Sequence, residues 1–190
     1  MRTIVILITL LSIVMTGCAT VIDSTTSEPI SDNRGSRTPG QYIDDEYAET
    51  AIEVNLKKAS QELKASNINV RVYNGVALIA GQVPSEEARQ TAEKVASQYR
   101  GIVRIINQLE IAGRATIISE INDLTISGQV KAQILKALGR DVYLRTLTTT
   151  ENSIVYVMGF VSKTEAVAIE NVVSSVPGVK RIVRAFEYID

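Results

Sequence analysis

The segment Val76–Val83 (VALIAGQV) returns as Ile154–Val161 (IVYVMGFV), 78 positions later, with Gly81 and Gly159 in register. The correspondence extends to both sides. Upstream, Ile43, Asp45, Ile52 and Leu56 answer Ile121, Asp123, Val130 and Ile134 at the same offset. Downstream, Gly101–Ile106 (GIVRII) answers Gly178–Val183 (GVKRIV) with one residue dropped between. A self-match kept in order over a whole unit means that one supersecondary unit is used twice. Whatever one copy folds into, the other must fold into as well. The two units occupy residues 43–112 and 118–190, joined by a short link at Gly113 and Arg114.

Each unit reads helix, strand, strand, helix, strand. In the first, Ala48, Ile52, Leu56 and Leu63 recur at helical spacing, and Asp44 or Asp45 stands where a side-chain oxygen can cap the helix start. Ile68, Val70 and Val72 alternate as in a half-buried strand. Asn74 and Gly75 then give a two-residue hairpin signal before Val76–Ala80, with Asn152 and Ser153 in their place in the second copy. Gly81 and Gly159 close a strand just ahead of a helix, where a missing Cβ permits positive φ or close backbone approach. Pro84–Glu87 (PSEE) and Ser162–Glu165 (SKTE) open the later helices, the second with capping-box spacing. The last strands run over Val103–Ile111 and Arg181–Ile189, and the helix ahead of each makes its pairing parallel. The predicted class is α+β: two tandem αββαβ modules, each a three-stranded mixed sheet with two helices on one face.

Ahead of the modules, Met1 and Arg2 supply a short positive start, and Thr3–Met15 (TIVILITLLSIVM) is an uncharged apolar run. The run is too short to span a bilayer comfortably, which takes about 20 apolar residues, and it fits the hydrophobic region of a signal peptide. Residues 15–18 (MTGC) resemble the lipobox of bacterial lipoproteins. By that resemblance residues 1–17 are a lipoprotein signal peptide, and Cys18 is the lipid attachment site and first mature residue. Ala19 stands where the inner-membrane retention signal of enterobacterial lipoproteins would place Asp. The implied location is therefore the outer membrane, lipid-anchored and facing the periplasm. Residues 18–42 are rich in Ser, Thr, Asp, Pro and Gly and read as a flexible tether behind the anchor.

The formal net charge is -1, with 20 Lys and Arg against 21 Asp and Glu, which leaves no basic field to hold nucleic acid. Histidine is absent and cysteine occurs once, so neither an intrachain disulfide, a cysteine zinc cluster, nor a Ser-His-Asp or Cys-His pair can be assembled. The acidic run Asp44, Asp45 and Glu46 is accounted for by a helix start, and no metal site is assigned. The reading is a non-enzyme without cofactor.

The Gly81 hairpin, the helix after it and Gly101 with its basic-apolar final strand resemble a BON domain; Gly159 and Gly178 give a second copy. With signal segment, tether and two modules in this order, the chain resembles the dual-BON outer-membrane lipoproteins of Gram-negative bacteria associated with division and outer-membrane stress. The resemblance implies no catalysis, binding to anionic phospholipid membranes and a part in envelope integrity. It also implies that the first helix of the second module is the lipid-contacting element.

The residues of that helix carry their own signal. On a helix over Asp123–Leu138, the stripe Ile126, Val130, Ile134 and Leu138 covers the sheet. The opposite side still holds Leu124, Thr125, Gly128, Ala132 and Leu135, flanked by Lys131 and Lys136 with Arg140 beyond. One stripe suffices to cover a sheet, so the second needs a partner of its own. Apolar residues bordered by lysine suit the boundary between acyl chains and anionic headgroups, which makes these seven residues the candidate lipid-binding set. Two other occupants fit the same stripe. It can pack on the first module and weld the copies together, or it can dock an envelope-assembly or cell-wall protein, making the chain a periplasmic adaptor. The matching side of the first module's helix carries Glu46, Thr50, Glu53, Lys57 and Lys58, with Val54 as its only sizeable apolar residue. Tyr42 and Tyr47 form a candidate partner patch there.

Overall fold

Two threonines 78 positions apart, Thr38 and Thr116, start the two modules. In the computed structural model, which describes residues 35–113 and 116–190, each is a helix N-cap. The Thr38 hydroxyl accepts the Gln41 N–H and the Gln41 side chain accepts the Thr38 N–H, a closed capping box with Pro39 in the first turn. The helices therefore begin earlier than the apolar periodicity indicates. Residues 39–42 are helix rather than tether, and Asp44, Asp45 and Asp123 lie inside helices and cap nothing.

The elements in chain order are α1 (Pro39–Ala59), α2 (Gln61–Ala65), β1 (Asn67–Tyr73), β2 (Val76–Val83), α3 (Glu86–Ser97) and β3 (Arg104–Ile111). The second module follows with α4 (Ile117–Leu144), β4 (Thr146–Glu151), β5 (Ile154–Val161), α5 (Lys163–Ser174) and β6 (Arg181–Tyr188). Both long helices break near their ends, α1 at the extended Ser60, which caps α2, and α4 at Gly139 with φ 86°. Each sheet has three strands, its second strand central, pairing antiparallel in the hairpin and parallel with the strand that follows the crossover helix. The predicted α+β architecture of two three-stranded mixed sheets is the one found.

Asp45 and Asp123 hold the hairpins in place. Asp45 accepts the backbone N–H groups of Asn74 and Gly75 at 2.8 and 3.0 Å. Asp123 accepts those of Asn152 and Ser153, both at 2.7 Å. The two turns have positive φ at both central residues, Ser153 included. A serine is poorly suited to that region, and a charge-assisted pair of hydrogen bonds offsets the cost. Arg37 neutralises Asp45 at 2.9 Å and lies over the Tyr73 ring, so the folded unit reaches back to residues first read as tether. Gly81 and Gly159 sit where a Cβ would strike the carbonyl oxygens of Asn67, at the start of the neighbouring strand, and of Arg145, just ahead of it, so the close approach anticipated for them is real.

Helices cover one face of each sheet. In the first module Ala48, Ile52 and Leu56 of α1 and Ala88, Ala92 and Ala96 of α3 pack on Val70, Val72, Ala77 and Ile79. In the second, Ile126, Val130 and Ile134 of α4 and Ile169 and Val173 of α5 pack on Val155 and Val157. The other face of each sheet is apolar too, and the two faces cover each other. Tyr73, Val76, Leu78 and Ala80 form one cluster with Ile154, Tyr156, Met158 and Ala185. The layers run helices, sheet, sheet, helices, and both modules lie in one compact unit.

The rim of that contact is nearly symmetric. Asn74 donates to Glu187 at 3.1 Å, and its counterpart Asn152 donates to Glu110 at 3.1 Å. Symmetry fails at one pair: Tyr73 donates its hydroxyl to the Arg145 carbonyl at 2.7 Å, while the equivalent Glu151 lies beside Asn69 of the first module. Burial pushes the Glu151 carboxyl up to about 7, and the carboxylates of Asp123 and Glu120 push it the same way against a hydrogen bond from Asn69. Unfolded, the group releases its proton near its ordinary 4.5, so between that value and about 7 the folded chain holds a proton the unfolded chain lacks. Stability from this group is full below pH 4.5 and falls as pH rises through about 7. Glu151→Gln is expected to raise the thermal midpoint well above that range and leave it little changed at acid pH. Circular dichroism melts across the range check this, and a parallel displacement at every pH would contradict it.

Candidate functional site

Because the sheets seal each other, α4 has only its own sheet to cover. Asp123, Ile126, Val130 and Ile134 are buried on that side. At about 100° per residue, Ile117, Ile121, Leu124, Gly128, Ala132 and Leu135 fall within about 80° of one another on the opposite side, along about 27 Å of helix. All six are exposed, Leu124 at 75% and Leu135 at 44%. The alternative in which this stripe packs on the first module is therefore excluded by the observed packing. Ile117, Ile118 and Ile121 were not among the candidates, because the helix was expected to begin at Asp123; they extend the strip by almost two turns, with Ile118 at its margin and 81% exposed. The T-x-x-S pattern at Thr116–Ser119, read against Thr38–Gln41 at the repeat offset, is the signal that locates them.

The seven candidate residues divide into two groups. Leu124, Thr125, Gly128, Ala132, Leu135 and Lys136 lie on the open side of α4. Lys131 is half-buried and faces a groove of about 210 Å³ between the modules, lined also by Arg37, Tyr42, Tyr143 and Leu144. Gly128 has open space where a Cβ would stand, so nothing in the fold requires a glycine there. Gly101 and Gly178 hold positive φ in the loops before β3 and β6. Cys18 and residues 1–17 lie outside the described residues.

On the first module's helix the outward side is less polar than expected. Ile43 and Tyr47 join Val54 there at 67% and 68% exposure, for the earlier helix start carries that side further toward the N-terminus. They alternate with Glu46, Thr50 and Glu53, and no continuous apolar strip results. Charge separates the two modules in the same sense: residues 44–113 hold 8 basic and 10 acidic side chains (-2), residues 114–190 hold 9 and 8 (+1).

The family model of the BON domain matches residues 44–113 and again 122–190. The chain belongs to the BON-domain family. Over 154 residues it is 30% identical to the outer membrane lipoprotein DolP of Haemophilus influenzae, covering 81% of this chain and 79% of the relative. It is 29% identical over 153 residues to a 21 kDa hemolysin of Actinobacillus pleuropneumoniae, covering 80% of this chain and 78% of the relative. The two matches cover most of each module; α1 and α4 each begin five residues ahead of them.

Gly128→Ala tests whether the open strip is free. An exposed helix-interior glycine costs about 1 kcal/mol against alanine, so the substitution is expected to stabilise the chain by roughly that amount in urea denaturation. A loss of stability would mean that another part of the molecule packs closely on Gly128.

Proposed function

We propose that this chain is a non-enzymatic outer-membrane lipoprotein, anchored through Cys18 on the periplasmic side, that lays α4 on anionic phospholipid and thereby supports envelope integrity. The observation that carries the reading is the exposed strip from Ile117 to Leu135 with Lys136 beside it, left over after every internal surface has found a partner. No helix among the described residues is long and apolar enough to cross a membrane, and α4 with one buried and one exposed apolar side suits lying in the interface. Similarity to an outer membrane lipoprotein and the lipobox-like MTGC at residues 15–18 support the anchor.

The two attachments reinforce each other. Acyl chains contribute about 0.8 kcal/mol per buried CH₂ and hold the protein at the surface. A helix contact too weak to bind from solution then becomes intramolecular, with an effective concentration set by the tether. The helix supplies what the acyl chains lack, sensitivity to headgroup charge. A lysine near an anionic surface contributes about 1 kcal/mol.

Sedimentation of residues 35–190 with phosphatidylglycerol and with phosphatidylcholine vesicles tests the helix contact. Binding to the anionic vesicles alone is expected, Lys136→Gln weakening it about fivefold. Leu124→Glu, at an exposed position with no fold contact to lose, is expected to abolish it. Wild-type protein that pellets with neither vesicle would refute the lipid contact. The anchor is tested separately: Cys18→Ser is expected to abolish incorporation of labelled fatty acid in cells, and retained label would place the attachment elsewhere.

A further inference from the structure

The groove between the modules holds a charge that nothing in the fold answers. It is lined by Arg37 and Tyr42 at the start of the first module, Lys131 of α4, Tyr143 beyond the Gly139 break and Thr148 of β4, with no carboxylate among its lining residues. Arg37 already meets Asp45 at 2.9 Å. Lys131 is half-buried and takes part in no ion pair or side-chain hydrogen bond among the described residues. An ammonium group drawn part-way out of water without a counter-ion is costly, and an anion beside it removes the cost.

The hydroxyls of the groove are unanswered as well. Thr148 is buried, and its Oγ1 has no hydrogen-bond partner among the described residues. Thr150, on the same side of β4, is buried too but accepts from the Ser127 hydroxyl at 2.8 Å. The phenol groups of Tyr42 and Tyr143 make no hydrogen bond among the described residues. The twin module shows that the shared fold asks for none of this. At the repeat offset Glu53 stands for Lys131, Ala65 for Tyr143 and Val70 for Thr148. An ammonium group and three hydroxyls thus line one groove of about 210 Å³ from α1, α4 and β4. Donors set on separate elements suit a phosphate group, whose oxygens point in several directions, better than a planar carboxylate.

We propose that this groove is a phosphate site, and that the phosphate it takes is the headgroup of an anionic phospholipid. The choice of a lipid rests on the reading that α4 lies on such a membrane; the site itself does not. Lys131, set apart from the open strip, then has its own task. It holds one headgroup while the strip meets the acyl region.

The test titrates isotopically labelled full-length protein in an uncharged detergent, at an ionic strength held constant with sodium chloride, and follows the amide resonances of Lys131, Tyr143 and Thr148. The probes are glycerophosphoglycerol (the headgroup of phosphatidylglycerol without its chains), inorganic phosphate and acetate. Saturable shifts are expected with glycerophosphoglycerol, at least as tight as with inorganic phosphate and about tenfold tighter than with acetate. Lys131→Gln is expected to weaken this binding about tenfold and Tyr143→Phe about threefold. Lys180→Gln, which makes the same change of net charge at an exposed lysine outside the groove, is expected to leave it unchanged. Thr148→Val, the first module's own residue at that place, is expected to weaken binding about threefold with the thermal midpoint unchanged or higher, so that lost binding is not lost folding. The site is overturned if neither phosphate gives saturable shifts, if acetate binds equally well, or if Lys131→Gln binds as the wild type does. Inorganic phosphate binding about tenfold more tightly than glycerophosphoglycerol overturns the lipid as the source. A failure of α4 to hold anionic vesicles leaves these titrations as they are, because no probe carries an acyl chain.

Discussion

A three-stranded sheet whose central strand is apolar on both sides cannot be left with one side in water, and this constraint organises the molecule. β2 and β5 are buried along nearly their whole length, so each sheet needs a cover on both faces. Two helices from its own module supply one cover, and the same face of the twin supplies the other. Burying a Leu, Ile, Val or Tyr side chain contributes about 1.5–3 kcal/mol, and the shared cluster of Tyr73, Leu78, Tyr156 and Met158 with its neighbours outweighs what any surface ion pair in the chain can add. Once the sheets are joined, the helices are held on the outside. An apolar residue on the outer side of α4 then has nothing inside the molecule to meet.

This also explains which parts of the fold were legible from the residues alone. Element order, the hairpins and the mixed sheets followed from periodicity and from the Asn-Gly type of turn, because those signals are local. The sheet-to-sheet contact is written less locally: Val76–Ala80 and Ile154–Met158 have no polar alternates, the mark of strands covered on both faces. With the joint between the modules taken by the two sheets, the outer stripe of α4 has no place in it.

Asp45, expected as a helix cap, and its counterpart Asp123 hold the hairpins instead, for a related reason. An acidic residue near a helix start normally caps it, but these two lie on the inward stripe with Ala48 and Ile52 or with Ile126 and Val130. A carboxylate there is tolerable only with donors waiting for it, and the donors are the backbone N–H groups of a turn 29 residues further on. Such a partner is invisible to any local window. The capping threonines were missed for the opposite reason: Thr38 lies in a stretch whose Ser, Thr, Pro and Gly content reads as tether, and a capping box uses the same residue types.

Duplication lets the two copies be compared as a controlled pair. Positions that meet the shared constraints have kept their chemistry: the two clamping aspartates, the glycines facing a neighbouring strand, the asparagine–glutamate contacts across the joint. Positions released from those constraints have separated. On the long helices, Tyr47 stands against Thr125 and Ala48 against Ile126, and the first outer face alternates apolar with acidic residues where the second is continuous. Divergence on a surface costs almost nothing and needs no function to sustain it.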